Sequence, residues 1–138
     1  MNNNNLVGRE SNWDDYLTLL GRVGMALMFL TSGWGKIAGY VTTQQYMASA
    51  GVPGELLPLV IALELGGGLA ILLGFLTRWV ALALALFTLA SAALFHAHFS
   101  DQNQMIHFWK NITITGGFLI LCAHGAGALS LDAWRLRR

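Results

Sequence analysis

Four stretches of almost unbroken apolar residues run along the chain, at about 16–37, 56–76, 78–98 and 107–128, with short polar segments between them. Between Leu17 and Ile37 the only charges are Arg22 and Lys36, and Glu64 stands alone between Leu56 and Thr77. No Asp, Glu, Lys or Arg occurs from Trp79 to Ser100 or from Asn111 to Leu131. An α-helix needs roughly 20 such residues to cross a hydrocarbon layer about 30 Å thick. The pattern predicts an all-α membrane protein, a four-transmembrane-helix bundle. It divides the chain into a tail over 1–15, a transmembrane domain over 16–128 and an interfacial tail over 129–138, with no soluble domain besides.

The connecting segments carry signals of their own. In GYVTTQQYMASAGVPGE (39–55), Thr42 or Thr43 can cap a short helix, Gly51 can end it in the left-handed conformation, and Pro53 blocks its resumption. One or two turns over the outer mouth of the bundle are expected. HAHFSDQNQMIH (96–107) reads as a polar, irregular loop, and SLDAWRLRR (130–138) as a short interfacial segment whose arginines meet anionic headgroups. GGLAILLG (67–74) and GGFLILCA (116–123) share a pattern, which suggests two helix pairs related by a pseudo-twofold along the membrane normal.

Charge then gives the orientation. An even number of spans puts both chain ends on one side, which carries Arg9, Arg78, Arg135, Arg137 and Arg138. The opposite loops, 38–55 and 99–106, hold no Lys or Arg, so both termini are expected to be cytoplasmic. Trp13, Tyr16, Trp34, Tyr40, Trp79, Trp109 and Trp134 fall near span ends, as an interfacial aromatic belt requires. The start, MNNNNLVGRESNWDDY, lacks the basic segment of a secretory signal, and the ASA at 48–50 lies too far beyond the first apolar run to be its cleavage box. The first helix is therefore expected to be retained.

Composition narrows the chemistry. Of the 138 residues, 55% are hydrophobic and 11% charged, against roughly 25% charged in a soluble domain. A net charge of +1 without a basic stripe argues against nucleic acid as a partner. The single cysteine, Cys122, lies within the fourth span and leaves no pair for dithiol chemistry.

The charges inside the spans need a reason. Glu64 at mid-membrane costs about 2.5–3.5 kcal/mol on an insertion scale, which the aliphatic residues of its helix offset at roughly 0.3–0.6 kcal/mol each. Insertion is feasible, but that does not explain the carboxylate. At 1.5 Å per residue Glu64 lies roughly 12 Å below the outer end of its span and Lys110 roughly 5 Å below the outer end of the fourth. Arg22 approaches from the opposite face and Lys36 stands at the outer rim. The depths favour Lys110 slightly over Arg22 as the base for Glu64. Two readings stay open: a buried ion pair that fixes helix register, or a polar site inside the bundle.

Glycines surround these charges. Gly67 and Gly68 are three and four residues from Glu64 and share its face. Gly33 precedes Lys36, and Gly116 and Gly117 lie below Lys110. Small residues let membrane helices pack closely, so all five are expected at helix contacts. His96, His98 and His107 gather at the outer ends of spans 3 and 4. In a continuous helix His96 and His98 would point about 160° apart, the wrong spacing for one metal, so no metal site is expected. His96 is the one that could face inward above Lys110.

With those residues in hand, the chain resembles the DoxX family, in its short YqjF/YphA-type inner-membrane members, from about Leu17 to Ala128. The resemblance is carried by RVGMALMFLTSGWGKI (22–37), QQYMASAGVPG (44–54), LELGGGLAILLGFLTR (63–78), LFH (94–96) and KNITITGGFL (110–119). It implies a multi-pass protein of the bacterial inner membrane and maps recurrent polar positions onto Arg22, Lys36, Glu64, His96, Lys110 and Asn111. It also implies a membrane subunit or partner of a redox system, either quinone-linked or serving a thiol or oxidative-stress enzyme. A quinone is the one cofactor this reading invokes. Electrons would come from a redox protein partner, since no haem, flavin or iron–sulfur motif is recognisable. Two alternatives stand beside it: a carrier or channel for a small anion or acid, which four helices could form only as a homo-oligomer, and a non-catalytic membrane adaptor. The residues alone assign no catalytic group, and the lipid bilayer is the partner that every reading shares.

Overall fold

The computed structural model describes residues 12–138; Arg9 and most of the 1–15 tail lie outside the described residues. Among the described residues six α-helices follow one another: α1 (Asn12–Ala38), α2 (Tyr40–Ser49), α3 (Leu57–Leu73), α4 (Thr77–Phe95), α5 (Gln102–His124) and α6 (Leu131–Leu136), with a 3-10 turn, Gly54–Leu56, leading into α3. Among the described residues there is no strand. Four helical stretches, α1, the 3-10 turn with α3, α4 and α5, are long and apolar enough to cross a membrane. They alternate in direction, so residue 12 and residue 138 lie at one end of the bundle, here the terminal end. The other is the distal end.

The span limits shift where local chemistry intervenes. Residues 102–106 belong to α5, not to an irregular loop, because Asp101 caps the helix: its carboxylate accepts from the backbone N–H of Asn103 and Gln104 at 2.8 and 3.4 Å. α4 ends at Phe95, with His96 as its C-cap. α2 runs for ten residues, longer than one or two turns, and has no side-chain cap. Instead it continues almost directly from α1, interrupted at Gly39, whose N–H reaches Gly35 O at 2.9 Å. The Thr43 hydroxyl is spent on Gly39 O rather than on capping. Gly51 takes the left-handed conformation (φ 76°), and the chain resumes as a 3-10 turn just beyond Pro53.

α1 packs chiefly on α3 and α4 on α5, and α3 meets α4 to join the pairs. The two similar stretches, 67–74 and 116–123, therefore each lie on the second helix of a pair. The core between them holds Ala26 and Phe29 of α1, Ile71 of α3, Ala81, Leu84 and Ala85 of α4, and Phe118 and Leu121 of α5. Phe29 meets Phe118 edge to face at 5.3 Å, the offset that the ring quadrupoles favour. Large apolar side chains elsewhere point outward, as lipid contact requires. Trp13, Trp34, Trp79 and Trp134 are exposed near helix ends, and Trp109 is exposed about two turns inside α5.

At the terminal end the short connection from α3 to α4 is fastened by α6. Gly74 ends α3 in the left-handed conformation (φ 68°) and Leu76 follows at φ 47°, a conformation that side chains seldom adopt. Asp132 holds this turn from outside, with Oδ1 accepting from Leu76 N–H at 2.8 Å and Oδ2 from Thr77 N–H at 2.9 Å. The Asp132 N–H in turn donates to Gly74 O at 2.9 Å. Ser130 caps α6, accepting from Ala133 N–H. The tail is thus built into the fold.

Candidate functional site

Glu64 lies about ten residues below the start of its apolar stretch, roughly 15 Å deep and near the middle of the hydrocarbon layer. It is 4% exposed. Its base is Lys36, not Lys110 or Arg22. Lys36 Nζ stands 2.9 Å from Glu64 Oε2 and 3.0 Å from Oε1, and also donates to Ser32 Oγ at 2.8 Å. Ser32 in turn donates to Glu64 Oε1 at 3.3 Å. Depths counted from Cα positions put Lys36 at the rim. Side chains on a helix, however, lean toward its N-terminus. Because α1 ends at the distal side, that lean carries the four-carbon stem of Lys36 back past Ser32 into the bundle.

Glycines allow the approach. A Cβ on Gly33 would stand 2.8 Å from Leu65 Cγ and 3.3 Å from Glu64 Cβ, so α1 meets α3 beside the carboxylate only because Gly33 has no side chain. Gly67 faces Leu84 and Gly68 faces Leu30 and the Ala26 carbonyl, each within 3.1–3.2 Å of a notional Cβ. Gly117 meets Met25 at ordinary contact distance. Gly116 has nothing within 4 Å and is no contact residue.

Beside the ion pair is a cavity of about 180 Å³. Its polar lining is formed by Ser32, Lys36, Glu64, Thr88, Ser91, His96, Lys110 and Asn111, and its apolar lining by Met28, Phe29, Phe87 and Ile114. Of the six polar positions singled out in the sequence, five therefore meet here. Three neighbours carried no charge to mark them: Ser32, Thr88 and Ser91. Ser32 was legible in principle, since it lies four residues before Lys36 on one helical face.

His96 Nδ1 lies 2.7 Å from Gln104 Oε1. With that oxygen as acceptor the imidazole proton resides on Nδ1, and a neutral ring keeps Nε2 as a free acceptor. The His107 ring stands 5.2 Å from that of His96, and its Nδ1 is 3.2 Å from Lys110 Nζ. Lys110 has no carboxylate partner among the described residues. The cavity lining thus carries two lysines, Lys36 and Lys110, and one carboxylate, Glu64. Among the described residues no three His, Cys, Asp or Glu side chains are placed to share a metal ion. His98 lies exposed in the loop, and His124 is at the terminal end, its Nδ1 3.0 Å from Ile120 O. Cys122 is half-buried and free.

Arg22 belongs elsewhere. It is 2% exposed, and its guanidinium donates to four backbone carbonyls: Nε to Ile71 O (3.0 Å), Nη2 to Leu72 O (2.9 Å), and Nη1 to Ala126 O (2.6 Å) and Leu129 O (3.0 Å). The last carbonyls of a helix lack intrahelical donors and carry its negative dipole end. Arg22 satisfies those of α3 and ties them to the segment after α5. Sequence position does not reveal this, because the acceptors are main-chain atoms far away in the chain.

The fold and site together define a four-span membrane bundle with a charged cavity in its distal half. The chain belongs to the DoxX family, whose pattern matches residues 17–97, a span that includes Lys36, Glu64 and His96 and stops short of Lys110. It is 56% identical over 119 residues to inner membrane protein YqjF of Escherichia coli (strain K12), covering 86% of this chain and 92% of that one. It is 40% identical over 124 residues to inner membrane protein YphA of the same organism, covering 84% and 88%. A more distant likeness, 36% over 69 residues and half of each chain, is to CatD of Bacillus subtilis (strain 168), named as a candidate oxidoreductase. No solved structure matches the chain. It is a multi-pass inner-membrane protein.

Proposed function

We propose that this protein is a membrane component of a redox system, and that the distal cavity receives the ring of a lipid-soluble quinone. The observation that carries the reading is the Lys36–Glu64 pair on the wall of a cavity of about 180 Å³. An engineered cavity of about 150 Å³ accepts benzene, so one substituted ring is the right scale of ligand. The apolar side chains of the lining suit a ring face, and its ammonium, imidazole and hydroxyl groups suit carbonyl oxygens. The name of the Bacillus subtilis relative points the same way.

Reduction of a quinone to a quinol consumes two electrons and two protons. The electrons are assigned to a redox protein partner, because the sequence carries no recognisable haem, flavin or iron–sulfur motif. This chain's residues handle position and protons. Lys110 and Lys36 would donate hydrogen bonds where negative charge develops, and the Lys36–Glu64–Ser32 cluster would pass the two protons, taken up from water on the distal side, one at a time. With Arg78, Arg135, Arg137 and Arg138 at the terminal end and no Lys or Arg in the 39–55 and 96–106 connections, both termini are assigned to the cytoplasm. The cavity then lies in the periplasmic half of the membrane.

One observation favours a second reading. Lys110 without a carboxylate leaves the cavity with excess positive charge, which suits a small anion or acid and a carrier formed by two or more copies. The experiment is mass spectrometry of solvent extracts from protein purified in mild detergent, for wild type, Glu64→Gln and Lys110→Met. Quinone retained by wild type and depleted in both variants supports the redox reading. Its absence even after quinone is added overturns it. Anion flux in proteoliposomes that disappears with Lys110→Met would then establish the carrier. If Glu64→Gln lowers thermal stability while both other assays stay silent, the role is that of an adaptor.

A further inference from the structure

A second site lies at the opposite end of the molecule. A groove of about 540 Å³ runs between the first turn of α4, the segment after α5, and α6. Two guanidinium groups line it, Arg78 and Arg135. Arg78 lies along the backbone at Gly125, its Nε 3.4 Å from where a Cβ would stand. Gly125 has φ 83°, so the turn that brings the backbone against Arg78 depends on glycine there. Arg135 sits over Phe75, with Cζ 5.5 Å from the ring centroid. Neither arginine has a carboxylate within ion-pairing distance: among the described residues the one ion pair is Lys36–Glu64. Asp132 also lines the groove, but both of its oxygens are occupied by the N–H groups of Leu76 and Thr77. The fold has directed the nearest negative charge at a helix end and left two cations facing an open groove.

The depth of the groove identifies what meets them. Trp79 lines it and Trp134 lies on α6 between the lining residues Ala133 and Arg135; they are 75% and 50% exposed, and such tryptophans occupy the headgroup layer. Leu76 and Leu136 give it an apolar lip. We propose that this groove binds the headgroup of an anionic phospholipid, with the phosphodiester held between Arg78 and Arg135 and an acyl chain leaving past Leu76 and Trp79. Guanidinium groups match phosphate oxygens with paired, planar hydrogen bonds. The headgroup would bridge α6 to the α4–α5 pair and complete the fastening that Asp132 begins. This inference does not depend on the occupant of the distal cavity.

The test is native mass spectrometry of the full-length protein in detergent, titrated with phosphatidylglycerol and separately with phosphatidylcholine. An arginine near an anionic headgroup is worth about fivefold in binding, so two predict roughly a thirtyfold preference for phosphatidylglycerol in the first bound lipid. Arg78→Gln combined with Arg135→Gln should reduce that preference to within about threefold. Arg137→Gln combined with Arg138→Gln removes the same charge from outside the groove and should leave most of the preference intact. Equal losses in the two double variants would overturn the proposal, because they would show general surface attraction. So would full displacement of the lipid by millimolar inorganic phosphate, which would make this a free-anion site. If the first pair fails to purify, Arg78→Lys with Arg135→Lys keeps the charges and loses the forks. A preference unchanged in that variant would equally overturn the paired phosphate contact.

Discussion

Lys36 reaches back along its own helix to hold Glu64 across the α1–α3 interface, its Nζ within 3.0 Å of both carboxylate oxygens. The lysine is 26% exposed and the glutamate 5%, so the pair spans the boundary between the cavity and the buried interface. Removing one partner of a buried ion pair costs about 3–5 kcal/mol, because the other charge is stranded. Partial access to Lys36 lowers that figure here. Lys36→Met is expected to destabilise the protein by about 2–3 kcal/mol in thermal unfolding in detergent. Lys36→Met with Glu64→Leu should recover most of the loss. Two single variants whose losses simply add would show that the residues do not act as a pair.

Arg22 gives a different signature. Its four carbonyl acceptors lie on two segments, the end of α3 and the stretch from Ala126 to Leu129. Lysine carries the charge but not the planar fork, and can serve few of those oxygens at once. Arg22→Lys is therefore expected to lose about 2 kcal/mol or more, and Arg22→Met more still, since each buried acceptor left bare costs about 1–3 kcal/mol. Ligand binding in the distal cavity should be unchanged in whatever fraction of Arg22→Lys folds. A specific loss of that binding at full stability would place Arg22 in the site after all.

These two residues mark how far the sequence could be read. A bilayer demands about 20 apolar residues per crossing, so four spans were visible without any tertiary information. Lys36, Glu64 and Lys110 were visible too, because a charge inside a span is expensive enough to stand out, while His96 was marked by its place above Lys110 and Asn111 by the family resemblance alone. Which groups touch was not visible. Counting rise per residue locates a Cα, and Lys36 works some way from its own Cα. Arg22 binds main-chain oxygens, which no side-chain pattern announces. The earlier start of α5 was legible, since Asp101 followed at the third helical position by Gln104 is a capping pattern. The 96–107 segment is rich in polar residues, and that masked it.

Asp132 makes stability depend on pH in a defined direction. Burial raises its carboxyl, but hydrogen bonds from Thr77 and Leu76 and the charge of Arg135 outweigh burial and hold it below the usual aspartate range. A group with a lowered folded-state pKa contributes stability that is fully present above the unfolded value and is lost as pH falls through the folded one. The contribution should therefore be constant from neutral pH down to roughly pH 4 and decline below that. Asp132→Ala should cost about 1 kcal/mol at neutral pH, the usual value of a helix cap, and flatten the acid limb of the melting profile. Asp132→Asn keeps one acceptor oxygen and should fall between. An acid limb unchanged in Asp132→Ala would assign the low-pH loss to other groups.

The glycines separate contact from mere presence. Gly74 has φ 68°, and a Cβ there would run into Ser130 Cβ and the Arg22 guanidinium, which are held in place by α6 and by four carbonyls. Neither neighbour can yield without breaking the fastening of the terminal end. Gly68 is milder: Leu30 can shift, but the Ala26 carbonyl at 3.2 Å is backbone and cannot. Gly116 faces open space within a regular helix. Replacing Gly by Ala in a helix gains about 1 kcal/mol of propensity where nothing opposes it. The order of thermal stability should thus be Gly116→Ala at or above wild type, then Gly68→Ala below it by about 1–2 kcal/mol, then Gly74→Ala lowest, with overpacking and left-handed strain combined. Gly116→Ala falling as far as Gly68→Ala would mean that α5 presents this glycine to a partner helix, and the obvious candidate would be a second copy of the chain.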